Sequence, residues 1–481
     1  LYTGSVQAKS VDAGYLFNID SLGAISGDFT IRAASQETFD YADIEGTVTE
    51  FSYRNYNYQD ITLDGKLSKQ RFSGSVNSDD PNLSLSFKGL VDFSQSVPYY
   101  DFDAEIANLN LTALNLVDLD KELSIVTNLS LDGRGNNADN AAGKLVAKQS
   151  LLCYGDTSVA MNDLALTIYG DSTNRKVSFN SDIVDISITG IFSPLELPAA
   201  FQNLVAEVMP SLAEPVSTDK KEIFQFNINY ETDNAITSLL IPGLKIDANT
   251  ALYGTFDSEQ RKIEISFLSP GIDYGMYSVE NITAEMGKNG EIFKGRIFAK
   301  AFLIDSLRFG NPDVDIEAYN NFIDLKTGWF GASGNSSAEL EMHADFMSPD
   351  HFVVELEPGY FNIRDLRWQI DDRATFEKDS TSLIFDSFLI HSGVQTVILD
   401  GRIGATSADT LLFNIENFQL TSLDSMGLGV QKKLGGLINL KGAVTNFYAS
   451  SEVEAEGEVE GLVIGDRRIG DLVLSSGYQG D

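Results

Sequence analysis

Few residues in this chain have the types and spacing that reactive chemistry requires. His343 and His351 stand close in sequence with Asp345 and Asp350 between them, a set of ligand types that suits a divalent metal. Alternation of apolar and polar residues is poor there, so a solvated turn is expected in place of a metal cluster. His391, beside Leu389 and Ile390, reads as a half-buried histidine with a satisfied ring. Asp132-Gly-Arg-Gly-Asn136 has the outline of a calcium loop, but Arg134 stands where an oxygen ligand belongs, and a hairpin turn is expected. Cys153 is the single cysteine, which excludes an intrachain disulfide and any multi-cysteine zinc or iron–sulfur site; it is expected to be a small buried hydrophobe. The sequence holds no Gly-rich phosphate loop, no nucleophile elbow and no paired-histidine zinc motif. Carboxylates are so abundant that an acid pair spaced for glycoside chemistry would be coincidence. The expectation is a protein that is not an enzyme, with no catalytic residues, no metal and no cofactor.

Charge narrows the partners. Thirty-four Lys and Arg face seventy Asp and Glu over 481 residues, a formal net charge of −36. Affinity for nucleic acid rests on cationic side chains that displace counterions, so nucleic acid is excluded as a partner. Flat docking on an anionic membrane is opposed for the same reason. At 43% hydrophobic and 10% aromatic residues the chain is too apolar to be disordered and long enough to bury a large core. Length alone suggests about three domains or one elongated body. No stretch of about 18 uncharged apolar residues occurs to span a membrane as a helix.

The elements that must position any functional surface show a period of two. Leu83, Leu85 and Phe87, then Val91 and Phe93, keep one parity, while Ser84, Ser86, Lys88 and Asp92 keep the other. Phe224, Phe226, Ile228 and Tyr230 alternate with Gln225, Asn227 and Asn229; Ile263, Ile265 and Phe267 alternate with Lys262, Glu264 and Ser266. Glu452, Glu454, Glu456, Glu458 and Glu460 occupy every second position opposite Val453, Ala455, Gly457 and Val459, so their face must be solvated. Such alternation predicts antiparallel sheet with one wet face.

Within this pattern an apolar-x-Gly-x-apolar motif recurs, at 25–29, 44–48, 63–67, 72–76, 87–91, 188–192, 252–256, 293–297, 399–403, 440–444 and 459–463. Each glycine shares the face of its two apolar neighbours. Either these glycines punctuate turns between short strands, or the sheet curls toward that face and leaves room on it. The irregular spacing excludes a propeller or a solenoid of fixed period. Residues 193–210 break the pattern. Ser193 is placed to cap, Pro194 to take the first helical position, and Pro210 to stop an amphipathic helix with the stripe Phe201, Leu204, Val205, Val208 and Met209. This helix is expected to plug or cap the apolar face, and 213–221 reads as a linker. A second short helix is expected around 420–434.

The run from 66 to 116, with "DDPNLSLSFKGLVDFS" at 79–94 and "FDAEIANLNLTALNL" at 102–116, resembles the TamB-like proteins of the translocation and assembly module, Bacteroidota type. Residues 178–212, passing from a strand into an amphipathic helix, together with 382–404 and the 435–470 region with the string "GLVIGDRRIGDLVL" at 461–474, are similar to the same family. The resemblance rests on order and texture over most of the chain, not on a catalytic signature. It implies a periplasmic, AsmA-like member of the bridge-like lipid-transfer superfamily, with a long U-shaped sheet whose inner face is a hydrophobic groove between two membranes. It also implies an outer-membrane barrel partner of the TamA/BamA type and an inner-membrane anchor. The family's anchor and distinctive C-terminal domain are not evident here, so the chain, which opens on Leu1, reads as an internal segment of a longer one.

The fold expected is therefore all-β, a long curled antiparallel sheet with one short amphipathic helix. Residues 1–192 form the first part of the β-groove, 193–221 the helix and linker, and 222–481 the second part. At about 10–20 residues per strand and turn, on the order of 25–45 strands are expected. Stacked about 4.8 Å apart, they would extend roughly 100–200 Å. Phospholipid acyl chains are the expected occupant, and Leu83, Leu85, Phe87, Phe224, Phe226, Ile228, Ile263, Ile265 and Phe267 are the expected lining residues. Two other functions fit such a chain: a scaffold that offers sheet edges to outer-membrane β-barrel clients, and an extracellular polysaccharide-active or adhesive protein.

Overall fold

The computed structural model describes residues 2–12, 15, 22–33, 42–68, 70–218, 220–232, 236–237, 241–305, 307–331, 337–363, 366–404, 406, 408–425, 434–448 and 452–479. It is all-β with two short helices, α1 (Leu197–Val208) and α2 (Thr421–Ser425), and thirty-two strands among those residues. Every strand pair with a described register is antiparallel, as the alternation predicts. The chain divides into two compact units, one of Leu1–Leu197 with Lys220–Tyr253 and one of Pro198–Asp219 with Gly254–Asp481.

In the first unit, strands pair with their neighbours in sequence from Tyr2–Asp12 through Val184–Ile191, except that Ala42–Tyr53 pairs with both Tyr56–Tyr58 and Ile61–Ser68, and Ile223–Tyr230 adds to the last of them. Residues directly opposite in an antiparallel pair share a face. The row Val91, Tyr100, Gly133, Gly143, Ile168, Val177, Ile188, Phe226 therefore crosses eight strands without a charged side chain. A neighbouring row runs through Ile44, Gly65, Gly74, Gly89 and Phe102. The motif glycines thus lie inside strands, and the turn-punctuation alternative is excluded. The reason for glycine is clearest at Gly74, where a Cβ would stand 2.2 Å from the Asp64 carbonyl oxygen and 2.5 Å from Gly65 Cα. The neighbouring strand's backbone approaches so closely on this face that only a residue without a side chain fits.

The entry to α1 differs from expectation. Ser193 does not cap it, because its hydroxyl donates to the Asp139 carboxylate at 2.6 Å and receives a hydrogen bond from Lys220 Nζ at 3.0 Å. Helix begins four residues later, at Leu197, and Pro198 takes the first turn in place of Pro194.

In the second unit, strands from Lys262–Tyr274 to Arg467–Gln479 repeat the pattern. One row runs Phe267, Ala284, Ile297, Val314, Thr327, Leu340; the next runs Ile265, Met286, Gly295, Ile316, Leu325, Met342, Leu356. The hairpin formed by 351–378 bends where Glu357 and Pro358 interrupt one strand opposite 371–373 in the other. Proline there costs no ladder bond, and Arg373 pins the corner through Glu355 at 3.0 Å and through Glu357. Behind the corner Trp368 is fully buried against Phe418.

Helix α1 packs on the apolar face of this unit. Val208 and Met209 are buried with Ala318, against Phe293, Ile323 and Phe346, and the Phe201 ring lies 5.2 Å from Phe256. The expected apolar stripe is nevertheless split: Ala200 and Ala206 are buried, whereas Phe201 and Val205 remain 39% and 41% exposed. The following segment folds back along the helix, Asn203 bonding both the N–H and C=O of Val216. Helix α2 covers the start of the 420–434 candidate, with Leu420 and Leu423 against Val459 and Leu462; residues 426–433 lie outside the described ones. No described helix is long and apolar enough to cross a membrane.

Candidate functional site

The residues singled out for metal chemistry are built into the sheet. The 343–351 segment is a hairpin of two strands, Ser337–Ser348 and His351–Leu356, not a solvated turn. Cross-strand pairing outweighs the weak alternation there. His343 stacks on Phe322 with ring centroids 5.1 Å apart and bonds Asp324 at 2.5 Å, while His351 bonds Glu377 at 3.0 Å. The two histidines have different partners, and no cluster of three metal-ligating side chains occurs among the described residues. His391 bonds Asp371 at 2.8 Å. Asp132 lies in the strand Leu123–Arg134 and accepts from Tyr99 at 2.9 Å; the hairpin loop follows it. Cys153 is half-buried, less enclosed than expected, because its strand Ala142–Tyr154 is near its end there.

Sequence reading missed two charged clusters, whose partners lie far apart in the chain. In the first unit Lys220 Nζ donates to Asp139 at 2.6 Å, beside Ser193. A serine next to a lysine invites a nucleophile–base reading, but the hydrogen bond to Asp139 pushes the Lys220 ammonium up, so it holds its proton. Burial opposes the Asp139 charge, yet the bonds from Lys220 and Ser193 hold its carboxyl below the ordinary value. Burial pushes the nearby Glu222 carboxyl up, partly offset by the Ser193 N–H it accepts at 2.9 Å. The cluster fastens the end of the strand Val184–Ile191.

In the second unit Lys288 occupies a position on the apolar face, opposite Ile263 and Phe293, and its side chain is fully buried. It is satisfied by Glu207 of α1 at 2.6 Å and the Arg261 carbonyl at 3.0 Å. Arg261 also meets Glu207, at 3.2 Å. One ion pair between a buried lysine and a partly exposed glutamate thus ties the helix to this face.

The nine expected lining residues all fall on the apolar faces, and none is exposed. In the first unit Phe87 stands opposite Val76 and Ala104, with its ring 4.9 Å from Phe102. Leu85 faces Ser78 and Ile106, and Leu83 faces Asp80 and Leu109, toward the polar rim. Phe226 and Ile228 face Ile188 and Ile186 across the ladder, and Phe224 is buried beside Phe192. In the second unit Ile263 is buried near the helix, while Ile265 and Phe267 head the two long rows. Phe224 and Ile263 are enclosed by protein; the other seven are half-buried.

The two faces of the second unit differ in chemistry. On one, Glu285, Arg296, Asp315, Lys326 and Glu341 follow one another across five strands. Their signs alternate, so each acid lies beside a base, as in Arg296–Asp315 at 3.7 Å and Lys326–Glu341 at 2.8 Å, and Arg296 also meets Asp313 at 2.5 Å. These solvated pairs are weak, because water screens them and two long side chains must be held in place, and they need no further ligand. On the other face lies a recess of 460 Å³ walled by Ile297, Phe302, Phe309, Val314 and Trp329 among others. It opens where the strand Leu307–Tyr319 bulges between Gly310 and Asp313. Pro312 lines the recess at this bulge and has no N–H to give the ladder. No protein-family model matches the chain and no curated protein matches it.

Proposed function

We propose that this protein carries the acyl chains of phospholipid along the apolar face of its sheet, as a periplasmic bridge between inner and outer membranes that serves outer-membrane biogenesis. The observation that carries the reading is the uninterrupted run of apolar rows from strand to strand within each unit, half-buried and not sealed into one core. The resemblance of residues 66–116 and 178–212 to TamB-like proteins supports the same reading and adds an outer-membrane barrel partner and an inner-membrane anchor to the proposal.

The magnitudes suit passage better than storage. Taking a two-chain lipid out of water is worth roughly 20 kcal/mol at about 0.8 kcal/mol per methylene. A lipid that comes from a membrane has already gained that energy, so its transfer to an apolar row is close to neutral and the chain is free to slide. No bond need be made or broken. The net charge of −36 keeps such a body soluble.

Photo-crosslinking in cells tests this, with a photoreactive residue at Phe226 and, as control, at Asn227. These positions are neighbours on opposite faces: Phe226 stands opposite Ile188, Asn227 opposite Ser187. A phospholipid adduct at Phe226 and none at Asn227 is the expected result. Protein adducts alone at Phe226 would end the conduit reading and favour a scaffold for β-barrel clients.

A further inference from the structure

Four pairs of an aspartate or asparagine followed by glycine occur in the sequence, at 64–65, 132–133, 289–290 and 400–401. In such a pair the glycine has no side chain to hinder the approach of its main-chain nitrogen to the preceding side-chain carbonyl. Three of the pairs lie inside strands, where Gly65, Gly133 and Gly401 are held between ladder partners on both sides. The fourth, Asn289-Gly290, stands at a turn. Asn289 ends the strand Tyr277–Asn289 and pairs with Ile292, so Gly290 and Glu291 form a two-residue hairpin turn. Gly290 has a φ of 75°, the glycine position of a type II′ turn, and a Cβ placed there would meet nothing within 4 Å. Asn289 and Gly290 are both exposed, and the Asn289 carboxamide makes no hydrogen bond to a described residue.

This is also the one pair of the four that carries an amide, whose nitrogen can leave as ammonia. We infer that Asn289 is a site of spontaneous deamidation, and that the isoaspartate formed there loosens the seat of α1. The Gly290 nitrogen attacks the Asn289 side-chain carbonyl carbon. A C–N bond forms, the side-chain nitrogen departs as ammonia with the proton of the attacking nitrogen, and a cyclic imide results. Water opens the imide at either carbonyl, giving aspartate or isoaspartate, and no oxidant, reductant or enzyme takes part. Isoaspartate carries the main chain through the former side chain, one methylene longer, directly after Lys288. The pairs Lys288–Phe293 and Asn289–Ile292 then lose their register. Lys288 Nζ is fully buried and meets Glu207 at 2.6 Å, so a shift of its main chain draws the ammonium away from the carboxylate of the helix.

The test keeps the purified full chain at mildly alkaline pH and follows it by peptide mass spectrometry, with isoaspartyl methyltransferase and a labelled methyl donor marking isoaspartate. The peptide that holds Asn289 should turn from amide to acid, and accept the methyl label, before any other asparagine of the chain. The midpoint of urea unfolding should fall in step with that conversion. Asn289→Gln, whose longer side chain cyclises far more slowly, should keep both the amide and the midpoint. The measurement on the unaltered chain needs no substitution and stands even where that variant fails to fold. Retention of the Asn289 amide while other asparagines convert would overturn the site. Conversion with an unchanged midpoint would overturn its link to the helix. A midpoint that falls equally in the Asn289→Gln chain would assign the loss to other asparagines and overturn that link as well.

Discussion

Replacing Glu207 by leucine is expected to destabilise the protein by about 2–4 kcal/mol, toward the cost of removing one partner from a buried ion pair but lowered because Glu207 is itself partly exposed. Lys288 is fully enclosed and would keep the Arg261 carbonyl at 3.0 Å but lose the one anion that meets it among the described residues. Lys288→Met should be far milder, because a methionine belongs beside Ile263 and Phe293 in the row where Lys288 stands. The double variant should recover most of what Glu207→Leu loses, since neither charge then remains to be desolvated. Urea unfolding of the full chain reads all three, as shifts in the midpoint of the transition. A Glu207→Leu chain within about 1 kcal/mol of the parent would show that apolar packing of Val208 and Met209, not the charge pair, seats α1. This pair makes position-specific what apolar packing leaves loose: hydrocarbon surfaces slide past each other at little cost, whereas Glu207 satisfies Lys288 at one helix position only.

Ile297→Asp is expected to reduce lipid passage between vesicles more than tenfold, whereas Phe298→Asp should leave it nearly unchanged. Ile297 lies on the apolar face between Ala284 and Val314; Phe298, 44% exposed, lies on the other face between Thr283 and Asp313. A hydrocarbon chain passing a carboxylate must strip part of its water. Several kcal/mol of such desolvation amounts to a rate loss of one hundredfold or more, since each 1.36 kcal/mol is about tenfold. Transfer of a fluorescent phospholipid from donor to acceptor vesicles reads the effect, with circular dichroism confirming that each variant keeps its strands. Unchanged transfer by a folded Ile297→Asp chain would remove the apolar face from the pathway. Equal loss in both variants would point to a general effect of added negative charge.

Much of the fold and of the apolar face is legible in the sequence, because a strand's two faces are set by alternation within a few residues. Phe87, Phe226 and Ile265 could be assigned to one face from their own neighbours, and the register then placed them on continuous rows. The motif glycines were equally visible as face residues. That they lie inside strands and not in turns needed the register, since the same apolar-x-Gly-x-apolar string fits both until Gly65, Gly74 and Gly89 are seen opposite one another.

What local pattern could not supply was anything that depends on a distant partner. The start of α1 moved to Leu197 because the Ser193 hydroxyl is held by Asp139. The 343–351 segment became strand because its residues pair with each other and with the strands Phe322–Gly331 and Ala374–Lys378. Lys288, of a residue type that ordinarily faces water, is buried where Glu207 of the helix and the Arg261 carbonyl meet it. Trp329 could not be tied to a recess before the bulge between Gly310 and Asp313 was known. The sequence by itself determined the class of fold, the chemistry of each face and the sign of the surface, since these follow from composition and a period of two. Only the tertiary structure decided which charges are buried, where the helix sits and where the apolar face opens, because a bulge or a long-range ion pair changes register and burial without leaving a periodic trace.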